Sequence, residues 1–325
     1  MLKIDIMVNN KNLQNLFSVP VKFNGNIAVI DNTSEHFNQT QTNDSFSEKW
    51  VKLDAESSTN EMEIFQKNWV LDLYGFKTVD GLKAFLGDKK VIIDAGCGLG
   101  YKSAWLAELA PHATIFGIDF SEAAFVAAKR YEHVPNVFFF RGDIANLPFK
   151  KETLDFILCD QVIHHTEEPK KTFAHLASLL TPTGKFACYV YAKKALPREL
   201  VDDYFRKATH NLSHDEMWQF SDQLTELGKR LTELNVKFEC PDIPALGIKG
   251  GEYDIQRFIY WNFIKCFYHP KWTKQENDAC NFDWYSPSNA ERYSPEEFKK
   301  WAYDLNLKID FFRSEEAAHT TIVCK

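Results

Sequence analysis

The sequence has no CxxC pair, no Walker A lysine and no excess of positive charge. It also has no apolar run approaching the roughly 20 residues that cross a bilayer. Each absence removes a class of function. The seven cysteines, Cys97, Cys159, Cys188, Cys240, Cys266, Cys280 and Cys324, are odd in number and unpaired in spacing. That argues against a disulfide framework and for reduced, buried thiols of the cytosolic kind. A thiol-rich metalloid site from Cys240, Cys266 and Cys280 lacks the usual ligand spacing, so no metal is expected. The formal net charge of -7 speaks against a nucleic-acid surface, because duplex affinity rests on Lys and Arg neutralising phosphates. The opening MLKIDIMVNNKNLQ shows no apolar signal core or cleavage site. The expectation is a cytoplasmic protein with no membrane span. No internal repeat or low-complexity tract is visible.

What is present is an ordinary globular mixture, 45% hydrophobic and 26% charged over 325 residues. That suffices for one large α/β domain with insertions. Residues 1–45 carry short β-like runs, with Asn24-Gly25 as a possible turn, and read as an N-terminal extension, a small hairpin or arm. Residues 46–90 read as helical: Ser58-x-x-Glu61 resembles a capping box, followed by Met62, Phe65, Trp69, Val70 and Leu73 at helical spacing.

From residue 91 to 190, strand and helix signals alternate. VIIDAG, ATIFGID, NVFFFRGD, TLDFILCD and KFACYVYA are apolar runs. Helical stretches such as KSAWLAELA and SEAAFVAAKRYE separate them, with Ser121 as a candidate N-cap. Alternation of this kind implies βαβ crossovers and a parallel sheet covered on both faces. The TPTG segment at 181–184 predicts a turn before the fifth strand. Residues 196–300 break the rhythm and read as a mostly helical, aromatic-rich insertion. LKIDFFRSE and HTTIVCK are too close for a crossover helix, so they predict a terminal antiparallel hairpin.

The strongest local signal is Asp94-Ala95-Gly96-Cys97-Gly98-Leu99-Gly100, a Gly-rich turn between a strand and a helix. Tyr101 stands where a GxGxxG dinucleotide fingerprint would need glycine. Asp119 ends the next strand, Gly142-Asp143-Ile144 follows the third, and Asp160-Gln161 with His164-His165 follows the fourth. Leu180-Thr181-Pro182-Thr183-Gly184-Lys185 precedes the fifth.

In this order the segments resemble the motifs of class I S-adenosylmethionine-dependent methyltransferases of the small-molecule, UbiE-like group. The resemblance covers residues 91–190, and Thr183 departs from the glycine common in that family. It implies a Rossmann-like, doubly wound sheet of seven strands, one of them antiparallel, with a helical lid. The implied division is 1–45 extension, 46–195 helical cover and core, 196–300 lid, and 301–325 completing the core. It implies that S-adenosyl-L-methionine is the cofactor. Asp94 and Gly96 would lie near its amino-acid part, and Cys97 would be a further cofactor-binding residue. Gly98 and Gly100 would give close backbone approach. Asp119 would bind the ribose, with Phe120 beside the adenine. Asp143 and Ile144 would hold the adenine, and Asp160 and Gln161 would border the methyl group.

The implied activity is methylation of a small, partly apolar or aromatic molecule at oxygen, nitrogen or carbon. His164, His165, Tyr285 and Tyr293 are candidate bases. Adjacent residues usually point apart, so at most one of the two histidines is expected to face the site. Trp284-Tyr285-Ser286-Pro287 and Arg292-Tyr293-Ser294-Pro295 either reach into a pocket or form a turn and the Ser294 cap of the next helix. Two rival readings stay open: a methyltransferase-like scaffold that binds the cofactor without turnover, and a nicotinamide-dependent dehydrogenase. A homodimer is also left open.

Overall fold

The computed structural model describes residues 13–30, 37–55, 60–209 and 211–325. The Ser58-x-x-Glu61 capping box and the Met62 side chain lie outside the described residues. The helical reading of 46–90 resolves into three helices, and the first begins earlier than expected: α1 (Phe37–Ala55), α2 (Asn60–Leu73) and α3 (Val79–Leu86).

The core alternates β2 (Val91–Ala95), α4 (Tyr101–Leu109), β3 (Thr114–Asp119), α5 (Ala123–Arg130), β4 (Val137–Arg141), β5 (Leu154–Cys159), α6 (Pro169–Ser178) and β6 (Leu180–Ala192). These strands are nearly all buried because helices cover both faces. Ile93, Phe116, Phe140, Ile157 and Phe186 join one core layer, which packs against Phe173 and Trp301. Ile92, Ile115, Phe139, Phe156 and Ala187 point the other way, toward Leu86 and Leu106. That alternation follows from the two-residue period of the strand. Glu122 takes the N-cap position of α5. Ser121, the expected cap, still accepts from Ala123 N at 3.3 Å while donating to Asp119.

The chain closes with α11 (Pro295–Asp304), β10 (Lys308–Ser314) and β11 (Ala318–Cys324). β10 and β11 pair antiparallel as the expected hairpin, and β11 also runs antiparallel to β6. The core order is β4-β3-β2-β5-β6-β11-β10. It reverses direction at β2/β5, and crevices at such a switch point collect ligands.

Two expectations are corrected, and the reading of 196–300 as mostly helical gains a small strand pair. Residues near Asn24-Gly25 do not form a separate hairpin: β1 (Ile27–Val29) pairs parallel with β4 and extends the central sheet. Gly25 turns the chain into it with φ 63°. Residues 181–184 belong to β6, held by the Leu154–Leu180 pairing and a register shift before Phe156–Lys185. Gly184 fits there because a Cβ would meet Leu154 O at 2.7 Å. The insertion is helical in α7 (Leu196–Thr209), α8 (His214–Glu233), α9 (Ile255–Asn262) and α10 (Lys274–Tyr285). It also contains a small antiparallel pair, β7 (Lys237–Cys240) and β8 (Gly251–Asp254). A further two-residue strand, β9 (Arg292–Tyr293), lies beside the end of β6.

α1 ties the chain's beginning to this cap. Its polar side chains reach the α10 end: Gln41 Nε2 donates to Ser286 O at 2.8 Å and Thr42 Oγ1 accepts from Asn289 N at 2.9 Å. Trp218 Nε1 of α8 donates to Glu48 at 3.0 Å. α1 therefore lies across the carboxyl ends of the core strands. No described helix is long and apolar enough to cross a membrane.

Candidate active site

A cavity opens where the carboxyl ends of β2, β3, β4 and β5 face α1 and α10. The turn after β2 supplies Gly96, Cys97 and Gly98 to its lining. Gly96 (φ 83°) and Gly98 (φ 51°) occupy the left-handed region that glycine tolerates. A Cβ on Gly96 would lie 2.2 Å from Val162 Cγ2, and one on Gly98 would lie 2.9 Å from the Trp50 indole. The backbone here is pressed between a neighbouring turn and the α1 roof, with no room for a side chain.

Asp119 and Phe120 line the cavity at the end of β3. Asp119 Oδ2 accepts from Gly98 N at 2.8 Å, and Oδ1 accepts from Ser121 N at 2.9 Å. Burial raises its pKa, opposed by these hydrogen bonds. Asp143 and Ile144 line it after β4, with Asp143 Oδ1 accepting from Ala145 N at 2.8 Å. Burial also raises Asp143. Asp160 and Gln161 follow β5 and line it as well. Asp160 is buried and accepts from Lys102 Nζ at 3.0 Å and from Tyr74 Oη at 3.0 Å. Gln161 has φ 65° and donates to Asp160 and to Gln66, each at 3.2 Å.

Two motif residues sit behind this surface. Asp94 is fully buried outside the lining and accepts from Ser103 Oγ at 2.7 Å; its Oδ1 has no partner. Gly100 also lies outside the lining. A Cβ there would meet Ala127 Cβ at 2.8 Å and the Phe139 ring at 3.0 Å. Its close approach is to α5 and β4, where it lets α4 seat on the sheet.

The four candidate bases separate. His165 lines the cavity. Its Nδ1 lies 2.6 Å from Asn289 O, and a carbonyl can only accept, so Nδ1 carries the proton and Nε2 the lone pair. Burial lowers its pKa to about 4, so the ring is neutral near pH 7. His164 turns away, fully buried against the Tyr191 ring at 3.8 Å between centroids. Both of its ring nitrogens lack partners, and burial holds it well below the ordinary value. Tyr285 is in the cap's core: its hydroxyl donates to Asp202 at 2.9 Å and accepts from Lys265 N at 3.0 Å. Tyr293 pairs in β9 and packs on Trp301 at 4.7 Å. Neither tyrosine lines the cavity. Ser294 forms a capping box with Glu297 for α11, so the second Tyr-Ser-Pro segment is a turn and helix start.

The motifs gave no sign of the opposite wall. Phe46, Lys49 and Trp50 come from α1, Tyr191 from the end of β6, and Cys280 and Asp283 from α10. Asp283 Oδ2 accepts from Lys49 Nζ at 2.8 Å, and Oδ1 lies 3.7 Å from Lys265 Nζ. Burial acts to raise Asp283, but the two lysines outweigh it and hold the carboxyl below its ordinary value. Trp272 also lines this side. Among the described residues, no group of three or more His, Cys, Asp or Glu side chains is arranged to hold a metal.

Residues 86–237 match the family model described as a methyltransferase domain. That match coincides with the doubly wound core strands, in the order the motifs implied. It is similar to the malonyl-[acyl-carrier protein] O-methyltransferase of Halalkalibacterium halodurans, 35% identical over 101 residues, covering 30% of this chain and 37% of that protein. It is also similar to the trans-aconitate 2-methyltransferase of Escherichia coli, 30% identical over 172 residues, covering 53% and 60%. The chain thus spans less than two thirds of the curated relatives it matches. Among solved structures, a magnesium protoporphyrin IX methyltransferase from Synechocystis with bound SAH aligns over 88% of this chain and 98% of that one. The TM-score is 0.45 and the identity 18%.

Proposed function

We propose that this chain transfers a methyl group from S-adenosylmethionine to a small, partly apolar or aromatic acceptor. The observation that carries the reading is convergence. Four separate strand ends deliver Gly96-Cys97-Gly98, Asp119-Phe120, Asp143-Ile144 and Asp160-Gln161 to one cavity. The cavity fits the donor chemically, since left-handed glycines leave a side-chain-free cradle and a strand-end acid stands beside it. In this reading Asp119 takes the ribose hydroxyls, Asp143 and Ile144 the adenine, and Asp160 with Gln161 the amino-acid end. Asp94 and Gly100 act one layer back, by holding the turn.

When bound, the donor supplies an electrophilic methyl group on a sulfonium. The chain's own residues have three tasks. The α1 roof, with Trp50 over the glycine turn and Phe46 beside His165, excludes water. The aromatic wall aligns the acceptor for in-line displacement. His165 Nε2, fixed as the lone-pair nitrogen, accepts a proton from an acceptor that starts protonated. His164, Tyr285 and Tyr293 have no part in this step. Residues 196–300 act as the cap that closes the acceptor side.

Isothermal titration with S-adenosylhomocysteine, with NADH as the control, tests the reading. Binding of the former alone is expected. Binding of NADH alone would replace the reading with a dehydrogenase, and binding of neither would remove the donor assignment.

A further inference from the structure

The acceptor's chemical class is the question left open, and the cavity's charges bear on it. This inference rests on the donor reading above. On the strand side, Asp119, Asp143 and Asp160 line the cavity against one ammonium, Lys102. On the opposite side two ammonium groups share one carboxylate: Lys49 and Asp283 line the cavity, and Lys265 lies behind that lining. Lys49 and Lys265 are 8% and 7% exposed, and both lean on the single carboxylate of Asp283. The Arg206 guanidinium adds a further positive field at His165.

Buried ammonium groups in excess of their carboxylates are unfavourable unless something offsets them. Here aromatic faces do part of this. Lys49 Nζ lies 4.5 Å from the Trp50 ring centroid and 5.5 Å from that of Phe46, and Lys265 Nζ lies 4.7 Å from that of Trp284. An ammonium has three donors, and one of Lys49's goes to Asp283. Four aromatic side chains, Phe46, Trp50, Tyr191 and Trp272, also line the cavity, alongside the polar Gln39, Thr42 and Asn43 of α1.

We propose that the acceptor is a planar carboxylic acid, its carboxylate received by Lys49 and its ring by the aromatic wall. The arrangement gives each ligand the opposite sign. The cationic donor meets carboxylates, and the anionic acceptor meets the lysine. Anchoring one end at Lys49 also fixes which atom faces the donor.

The test is calorimetry on the full chain saturated with S-adenosylhomocysteine. Three carboxylates are titrated, each against its neutral amide: salicylate and salicylamide, indoleacetate and indoleacetamide, cinnamate and cinnamamide. At least one acid should bind about tenfold more tightly than its amide, as expected when a buried charge meets its complement. Lys49→Met should bring the acid-to-amide ratio to about one, and Lys49→Arg should keep part of the preference. Circular dichroism checks the fold of both variants, and a misfolded Lys49→Met leaves the wild-type acid-to-amide ratio as the deciding number. No acid exceeding its amide in the wild type, including no binding by any probe, overturns the proposal. So does a preference that survives in a folded Lys49→Met protein. Failure of S-adenosylhomocysteine to bind in the preceding titration refutes the donor reading instead, and the two failures are read in separate experiments.

Discussion

Replacing Lys102 with methionine would strand a buried carboxylate. Lys102 Nζ sits 3.0 Å from Asp160 Oδ2, with side-chain exposures of 6% and 0%. Burial acts to push Lys102 down, but Asp160, Tyr101 and Asp94 together outweigh it and hold the ammonium above its ordinary pKa. Tyr74 and Gln161 still donate to Asp160 after the change, but neither brings charge. Removing one member of such a pair costs about 3–5 kcal/mol. At roughly 2–4 °C per kcal/mol for a chain of this order, melting should fall by roughly 6–20 °C. Asp160→Asn should cost a similar amount, because it strands Lys102 instead. The double variant removes both charges, so its loss should be smaller than the sum of the singles by ~2–3 kcal/mol. Denaturant titration of the four proteins, without ligand, measures the cycle. Additive losses, or a Lys102→Met protein within about 1 kcal/mol of wild type, would refute the claim that this pair is a coupled buried unit.

Gly96→Ala must place a Cβ 2.2 Å from Val162 at φ 83°, and left-handed strain of about 1–2 kcal/mol adds to overpacking of about 1–3 kcal/mol. A lower melting point and weaker S-adenosylhomocysteine binding are expected; wild-type values for both would show the turn to be slack. Asp119→Ala should weaken S-adenosylhomocysteine by roughly 10- to 100-fold, as for loss of charge-assisted hydrogen bonds, with circular dichroism unchanged; full affinity would remove the ribose role. His165 binds its proton near pH 4 when folded and near the ordinary 6.5 when unfolded. The unfolded chain therefore holds more protons between those values. This histidine's contribution, up to ~3 kcal/mol, is complete above pH 6.5 and lost as pH falls toward 4. His165→Asn should flatten that part of the stability curve, while His164 keeps its own contribution of the same sign. An unchanged slope in urea titrations at several pH values would mean His165 is not buried neutral.

The core was legible because its strands are buried on both faces and so spell unbroken apolar runs, from VIIDA to KFACYVYA. Their spacing left no room for anything but crossovers. β1 was not legible, since three residues carry no period and their pairing with β4 is set by contacts 112 residues away, as at Ile27 and Phe139. The glycine turn and strand-end acids announced themselves by order. Which motif residues face the cavity did not: Gly98 and Gly100 look alike in sequence, yet one meets Trp50 and the other Ala127. The acceptor wall left no local sign, because Lys49 and Asp283 meet only when the chain is folded. The tyrosines of the two Tyr-Ser-Pro segments looked reactive by type, but Tyr285 is occupied by Asp202 and Tyr293 by a strand pairing.

The matched methyltransferase domain ends at residue 237, and α1 and α10, whose Lys49 and Asp283 meet across the cavity, both lie outside it. The Lys49–Asp283 pair is therefore carried on stretches of sequence separate from the glycine turn, whereas Tyr191 of the same wall lies inside the match. A recombinant that exchanges only one of the two helices would break the Lys49–Asp283 contact, whereas exchanging both together would preserve it. Retargeting the proposed acceptor site is thus a problem of paired grafts, in which two distant short segments travel as one cassette and the glycine turn is left alone.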